Sequence, residues 1–347
     1  MAKHGGNRAF STVKQVVAWL AGLALLSGGL SAPAGAEVKE VRLAQQFGVN
    51  YLPLVIMKKH GLIEKHAQAA GLGMVKATWA QFGSGAAMND ALLSDSLDFA
   101  SGGIGPLLKI WDRSKGEFDV KGVASLGSMP LYLTTINPNV TSIRDFTKKD
   151  KIALPAVRSS IQAIVLQMAA AKAFGEANFR QLDDLTVSMR HPDAMAAMLN
   201  RAGEITAHFA NSPFQEQELQ GAGVRKVLSS YEVLGGPSTL NSLYATAKFR
   251  EINPKTYRAV VAALKEAIEM INRDKNAAAR SYVEEERSKL APDFVHNILV
   301  DPDFVVTSTP QGIMKYADFM HRVKEIKNKP ASWKDVYFPE IHGEAGN

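Results

Sequence analysis

WAQFGSGAAMNDALLSDSLDFASGGIGP, Trp79–Pro106, is the stretch whose reading decides the fold. A strand running from Met74 to Phe82 ends within it, and Gly85 to Leu93 reads as a helix with Ser84 just ahead of it. Leu97 to Ser101 reads as a second strand, after which Gly102-Gly103-Ile104-Gly105-Pro106 turns the chain into another helix. Strand, helix, strand, helix in so short a span is the rhythm of α/β layering, in which each helix covers the sheet that its strand joins.

The same rhythm extends outward. Upstream, Val41 to Gln46 reads as a strand and Leu52 to His60 as a helix with Leu52, Val55 and Ile56 on one face. Lys58, Lys59 and His60 fall in its last turn, where cations meet the negative end of the helix dipole, and Gly61 follows as a C-cap. After about Ser128 the pattern begins again: a strand at Ile152 to Leu154, then a helix from Ser160 to Phe174 with Ile161, Ile164, Val165 and Met168 at helical spacing. Val187 to Met189 leads into His191-Pro192, where Pro192 suits the first turn of a helix whose Met195, Met198 and Leu199 form a core stripe. Ile205 to Ala210 is a further strand, Leu243 to Thr246 is extended, and the remainder is largely helical, notably Thr256 to Arg273. This alternation predicts mainly parallel sheets, and no short-period repeat or low-complexity segment interrupts it.

The N-terminal 36 residues are expected to be a secretory signal peptide. Lys3, Arg8 and Lys14 form a basic region, Val16 to Leu30 is apolar, and Ala34-Gly35-Ala36 is an A-x-A cleavage pattern that would leave Glu37 as the mature N-terminus. The apolar run is short for a bilayer span. Cysteine is absent from the whole chain, which excludes disulfides and a lipidated cysteine tether, so a packed core must hold the exported fold. A soluble periplasmic location follows. Without the leader, 37 basic residues face 34 acidic ones, a mild balance of +3. No block of Lys/Arg interleaved with aromatics supports nucleic-acid binding. The remaining 311 residues exceed most single cores and predict two lobes.

Four segments resemble the family of periplasmic binding proteins for nitrate, sulfonates, taurine and thiamine-pyrimidine precursors, the solute-binding components of bacterial ABC importers. QQFGVNYLPLVIMKKHGLIEKH, Gln45–His66, is similar to the family's opening strand, ligand loop and helix. Trp79–Pro106 resembles its "F-x-S-G-x-x-x-x-x-A-L-x-x-G-x-x-D-x-x-x-x-G-x-x-P" and is the most specific of the four. KIALPAVRSSIQAIVLQMAAAKAFG, Lys151–Gly175, is like its strand, small-Ser/Thr and helix element, and GEITAHFANSPF, Gly203–Phe214, resembles "G-x-I/V-D-A-x-x-x-x-x-P-F/Y". Two departures stand out: Ser94-Asp95-Ser96 replaces a small-Gly turn, and Thr206 stands where an Asp is common. The resemblance implies a type II periplasmic-binding fold, two α/β lobes joined by a two-stranded hinge. Lobe 1 would run from Val38 to Leu126 and from Leu243 to the C-terminus, lobe 2 from Pro130 to Asn241. It further implies a monomer that closes on a small-molecule ligand, presents it to a membrane permease, and uses no cofactor or metal.

In open α/β sheets ligands bind at the carboxyl ends of strands, where helix N-termini offer free N–H groups to oxyanions. Gln46, Phe47, Phe82, Ser84, Gly103, Ile104, Arg158, Ser159, Ser160, His208 and Asn211 fall at such ends. The resemblance adds Tyr51 in the ligand loop and Met129 at the first lobe crossing. Each has a plainer reading. One of Ser159 and Ser160 serves as a helix cap, Phe47 and Phe82 pack in the core or stack on a ligand, His208 is a satisfied core histidine or a ligand contact, and Arg158 is a solvated arginine or an anion partner. With few acids among these residues, the pocket is expected to take a small organic anion or a neutral, partly apolar molecule in preference to a cation.

Catalytic motifs are missing. No G-x-S-x-G occurs, and Gly83-Ser84-Gly85 has the wrong spacing for a nucleophile elbow. His60 and His66 are six residues apart across Gly61, so they do not share a helix face for a metal. No P-loop lysine follows either glycine-rich turn. Two alternatives stay open: a pyrimidine-precursor synthase of the same family, whose cysteine-rich motif this chain lacks, and a ligand-sensing co-receptor that feeds no transporter.

Overall fold

The computed structural model describes residues 36–201 and 203–347. The expected signal peptide, except Ala36, lies outside the described residues. The first half of the chain builds β1 (Glu40–Gln45), α1 (Leu52–Lys59), α2 (Leu62–Ala69), β2 (Lys76–Gln81), α3 (Gly85–Leu93), β3 (Phe99–Gly103), α4 (Ile104–Arg113) and β4 (Lys121–Ser128). The second run is β5 (Tyr132–Thr135), β6 (Ile152–Leu154), α5 (Ile161–Phe174), β7 (Thr186–Ser188), α6 (His191–Leu199), β8 (Ala207–Ala210), α7 (Phe214–Leu219), β9 (Arg225–Ser229) and α8 (Ser230–Leu234). Then come β10 (Thr239–Ala245), α9 (Ala247–Ile252), the long α10 (Pro254–Arg273) and further helices. Gly61 ends α1 in the left-handed region, φ 56°, and the chain restarts at once as α2, a helix not read from the sequence.

Two five-stranded sheets result, ordered β2-β1-β3-β10-β4 and β7-β6-β8-β5-β9. The expectation of mainly parallel sheets needs correction. β1 runs parallel to β2 and β3, but β10 is antiparallel to both β3 and β4. The second sheet repeats this, with β6 parallel to β7 and β8 while β5 is antiparallel to β8 and β9. The cause is how the strands arrive. Parallel neighbours need a helical crossover, whereas β5 arrives from β4 of the other sheet and β10 from β9 by way of the short α8, and both run against their new neighbours. The chain passes from the first sheet to the second between Ser128 and Tyr132 and returns between Ser229 and Thr239.

β3 and β10 are buried along their whole length, as strands covered by helices on both faces must be. Behind them Phe99 packs edge-on to Phe249 at 5.1 Å and stacks on Tyr257 at 6.2 Å. Of the stripe on α6, Met198 is buried and Leu199 packs beside it, while Met195 is only half-buried.

Candidate functional site

Four helices of eight residues or more begin at one cleft between the sheets. Gly85 opens α3, Gly103 and Pro106 flank the start of α4, Ile161 and Gln162 open α5, and His191 opens α6; all of them line the cleft. Ser84 caps only the Ala87 amide of α3 and Ser160 only the Ala163 amide of α5, while α4 and α6 have no side-chain cap. The remaining first-turn N–H groups therefore give the cleft a positive potential with no cationic side chain. Among the described residues lining it, none is Asp, Glu, Lys or Arg. The cavity is tight, about 20 Å³, room for about one water molecule with the walls in this position.

The opposing walls are in close contact. A Cβ on Gly103 would stand 2.6 Å from Ile161 Cβ, and one on Gly105 would stand 2.9 Å from Ile164 Cγ1, so the start of α4 meets α5 only because those positions have no side chain. The Val49 amide donates to the Ser212 carbonyl across the same gap at 3.0 Å.

The first-sheet wall is a ring of neutral amides around Tyr51. Gln46 Nε2 and Asn241 Nδ2 both donate to the Tyr51 hydroxyl, at 2.8 and 2.7 Å. Asn50 Nδ2 donates to Asn241 Oδ1 at 2.6 Å, and from the second sheet, just past β8, Asn211 Nδ2 reaches across to donate to Asn50 Oδ1 at 2.9 Å and to the Phe47 carbonyl at 3.1 Å. Because Tyr51 accepts twice, its own proton stays free to donate. Burial pushes that phenol far above its ordinary range. Asn211 Oδ1 is buried without a partner among the described residues, an open acceptor at the cleft. Gly48 makes this packing possible: at φ 134° its missing Cβ would lie 2.3 Å from Asn50 Oδ1.

The second-sheet wall carries a buried string of titratable groups. Glu218 Oε1 lies 2.5 Å from His208 Nδ1, His208 Nε2 lies 2.8 Å from His191 Nδ1, and His191 Nε2 lies 3.2 Å from Gln162 Nε2 at the cleft. Thr134 donates to the other Glu218 oxygen at 2.6 Å. Burial holds the His191 imidazole well below its ordinary value, and the neighbouring His208 pushes it further down. Phe214 stacks on the His191 ring with centroids 5.6 Å apart.

Of the residues singled out from sequence, the cleft gathers Gln46, Tyr51, Gly103, Ser160 and Asn211. His208 is fully buried and reaches the cleft only through His191. Ser84 caps its helix beside Gly85, and Phe47 contributes its carbonyl while its ring lies 5.9 Å from the Arg190 guanidinium at the rim. Phe82 packs half-buried against the core, Ile104 is buried at the head of α4, and Ser159 is half-buried ahead of the α5 cap. Met129 sits at the first crossing and lines a separate pocket with Phe304 and Val306. Arg158 does not line the cleft. Its φ is 58° and its side chain is 61% exposed, with the guanidinium 3.6 Å from the buried Asp183 and 3.8 Å from the exposed Asp184. Asn50, Gln162, His191 and Asn241 line the cleft but were not singled out; Asn50 lay inside the quoted ligand loop, and His191 at a recognised helix start.

Two α/β sheets, two crossings and a cleft ringed by helix N-termini define a two-lobed binding fold of the periplasmic-binding type. The chain belongs to the NMT1-like family, whose model matches residues 34–284. Solved structures agree in fold. The alkanesulfonate-binding protein SsuA from Xanthomonas axonopodis pv. citri, bound to MOPS, superposes with a TM-score of 0.67 at 20% identity, covering 87% of this chain and 99% of its own. The periplasmic aliphatic sulphonate binding protein SsuA from Escherichia coli gives 0.61 at 19% identity, covering 87% and 92%. The periplasmic nitrate-binding protein NrtA from Synechocystis gives 0.58 at 16% identity, covering 75% and 70%. No curated protein matches the sequence significantly.

Proposed function

We propose that this protein is the substrate-binding component of an ABC importer, exported to the periplasm, that captures a small organic anion or neutral molecule and performs no chemistry on it. The observation that carries the reading is the cleft with four helix N-termini and no charged side chain of either sign. Dipole and N–H groups favour an oxyanion there, while an amine would find no carboxylate to offset its desolvation. The sulfonate- and nitrate-binding proteins of the same fold support that charge preference.

In this reading the lobes are residues 38–126 with 243–347, and 130–241, and they close about the two crossings. The closed form, favoured because ligand binds it more tightly than the open one, is what a membrane permease recognises. A thermal-shift panel of methanesulfonate, taurine, nitrate, short carboxylates and pyrimidines tests it. At least one anion is expected to raise the melting temperature, because a ligand at about a hundred times its Kd adds about 2.7 kcal/mol to the folded state. A polyamine or quaternary amine as the tightest ligand would refute the charge preference.

A further inference from the structure

The string from Glu218 to Gln162 has a direction. The Gln162 amide nitrogen can only donate, so His191 Nε2 accepts and the His191 proton sits on Nδ1. That proton is donated to His208 Nε2, which places the His208 proton on Nδ1, facing the Glu218 carboxylate. Each hydrogen bond points toward Glu218, so the string runs from the Gln162 N–H at the cleft to a buried carboxylate. Glu218 and His208 are fully buried, and His191 and Gln162 are each 4% exposed. The groups facing the histidines are Glu218 from α7, Thr134 from β5 and Gln162 from α5. On α6 itself the adjacent Arg190 is turned to the surface and paired with Asp193 at 2.6 Å. The carboxylate behind the rings is that of Glu218, and a bound anion would set a second acidic group in the same buried site.

We propose that the cleft takes its anion together with one proton, which is held by the His191–His208 pair. This rests on reading the cleft as an anion site. The proton comes from solvent and adds to His191 Nε2, which then donates to the ligand oxygen, while Gln162 turns its amide oxygen or releases the ring. The proton already shared between the rings can move along that hydrogen bond in the direction of Glu218. One anion and one proton enter together, so the buried charge is unchanged. His191 is the contact that determines charge specificity, and His208 and Glu218 position and polarise it. The site then discriminates by charge state, holding monoanions more tightly as pH falls.

Methanesulfonate, the anion of a strong acid, is the probe, because any proton taken up belongs to the protein. Titration calorimetry at about pH 7.5 in phosphate and in Tris, buffers of different ionisation heat, counts protons directly, and about one per ligand is expected. The Kd should weaken about tenfold per pH unit between about pH 6.5 and 8.5. His191→Asn and Glu218→Gln should each flatten that dependence and abolish the uptake; the proton count on the unaltered protein stands if either variant fails to fold. Binding with no uptake and a pH-independent Kd overturns the inference and leaves the anion-binding reading intact. No binding of methanesulfonate or nitrate at any pH from about 5.5 to 8.5 overturns both.

Discussion

The two walls of the cleft are both buried polar networks, and they are built from opposite materials. The first-sheet wall is a ring of amides closed on the Tyr51 hydroxyl, with no group that changes charge in the physiological range. The second-sheet wall is a string of imidazoles grounded on a fully buried carboxylate. Buried polar groups must be satisfied in either case. They differ in what a lost member leaves behind: a neutral wall loses hydrogen bonds, whereas a charged wall is left with an unmatched proton or charge.

The largest effect expected from that difference is Glu218→Ala. It leaves the His208 Nδ1–H and the Thr134 hydroxyl buried without their acceptor and opens a cavity, so unfolding free energy should fall by about 3–5 kcal/mol in urea denaturation. On the neutral wall, Tyr51→Phe leaves the Gln46 and Asn241 amides without their shared acceptor and should cost about 1–3 kcal/mol. If the two substitutions cost the same, the walls are not different in kind.

Proton linkage sharpens the comparison. The folded-state affinity of His191 for a proton is depressed below its ordinary 6.5, so as pH falls the unfolded chain protonates first. Stability is fully present above about pH 6.5 and is lost below it, by up to about 1.4 kcal/mol per pH unit, until the folded state also takes the proton. Melting scans of the unliganded protein should show this loss, His191→Asn should remove its share, and Tyr51→Phe should leave the slope unchanged. Gly103→Ala probes the contact between the walls. Its φ of −63° suits alanine, but the new Cβ would meet Ile161. Melting of the unliganded protein should change little while anion affinity drops about tenfold, or about 1.4 kcal/mol, if closure brings α4 and α5 together. Equal affinity in the variant would show that closure does not need that contact.

How much of this the sequence disclosed follows from the range of the interactions. Helix starts are local events, and Ser160, Gly85 and the Pro192 turn marked α5, α3 and α6 to within a residue. The second sheet's outer strand β9, whose pairing with β5 joins residues far apart in sequence, carried no local signature. In the site, residues attached to a recognised strand end or loop were found, as Gln46, Tyr51 and Asn211 show. Asn241 was missed as a lining residue because it reaches Tyr51 only when β10 crosses back into the first sheet. His191 was read as the first turn of a helix; its meeting with His208 is a product of tertiary packing that no spacing foretells.

Arg158 gives the smallest effect and the clearest reversal. Read from sequence it is the obvious cation for an anionic ligand, worth about 1.5–3 kcal/mol of binding as a charge-assisted hydrogen bond. In the structure it is outside the cleft, its side chain is 61% exposed, and its carboxylate partners lie 3.6 and 3.8 Å away. Its carbonyl, which accepts from Lys109 Nζ at 2.7 Å, belongs to the backbone and survives substitution. Arg158 is exposed and both contacts are long, so Arg158→Ala should alter stability by no more than about 1 kcal/mol. Anion affinity should stay within about twofold of the unaltered protein, because the site's positive potential comes from helix N-termini that the substitution does not touch. A loss of tenfold or more by calorimetry would mean that Arg158 turns inward when ligand is bound, and the anion would then be held by a side-chain cation after all.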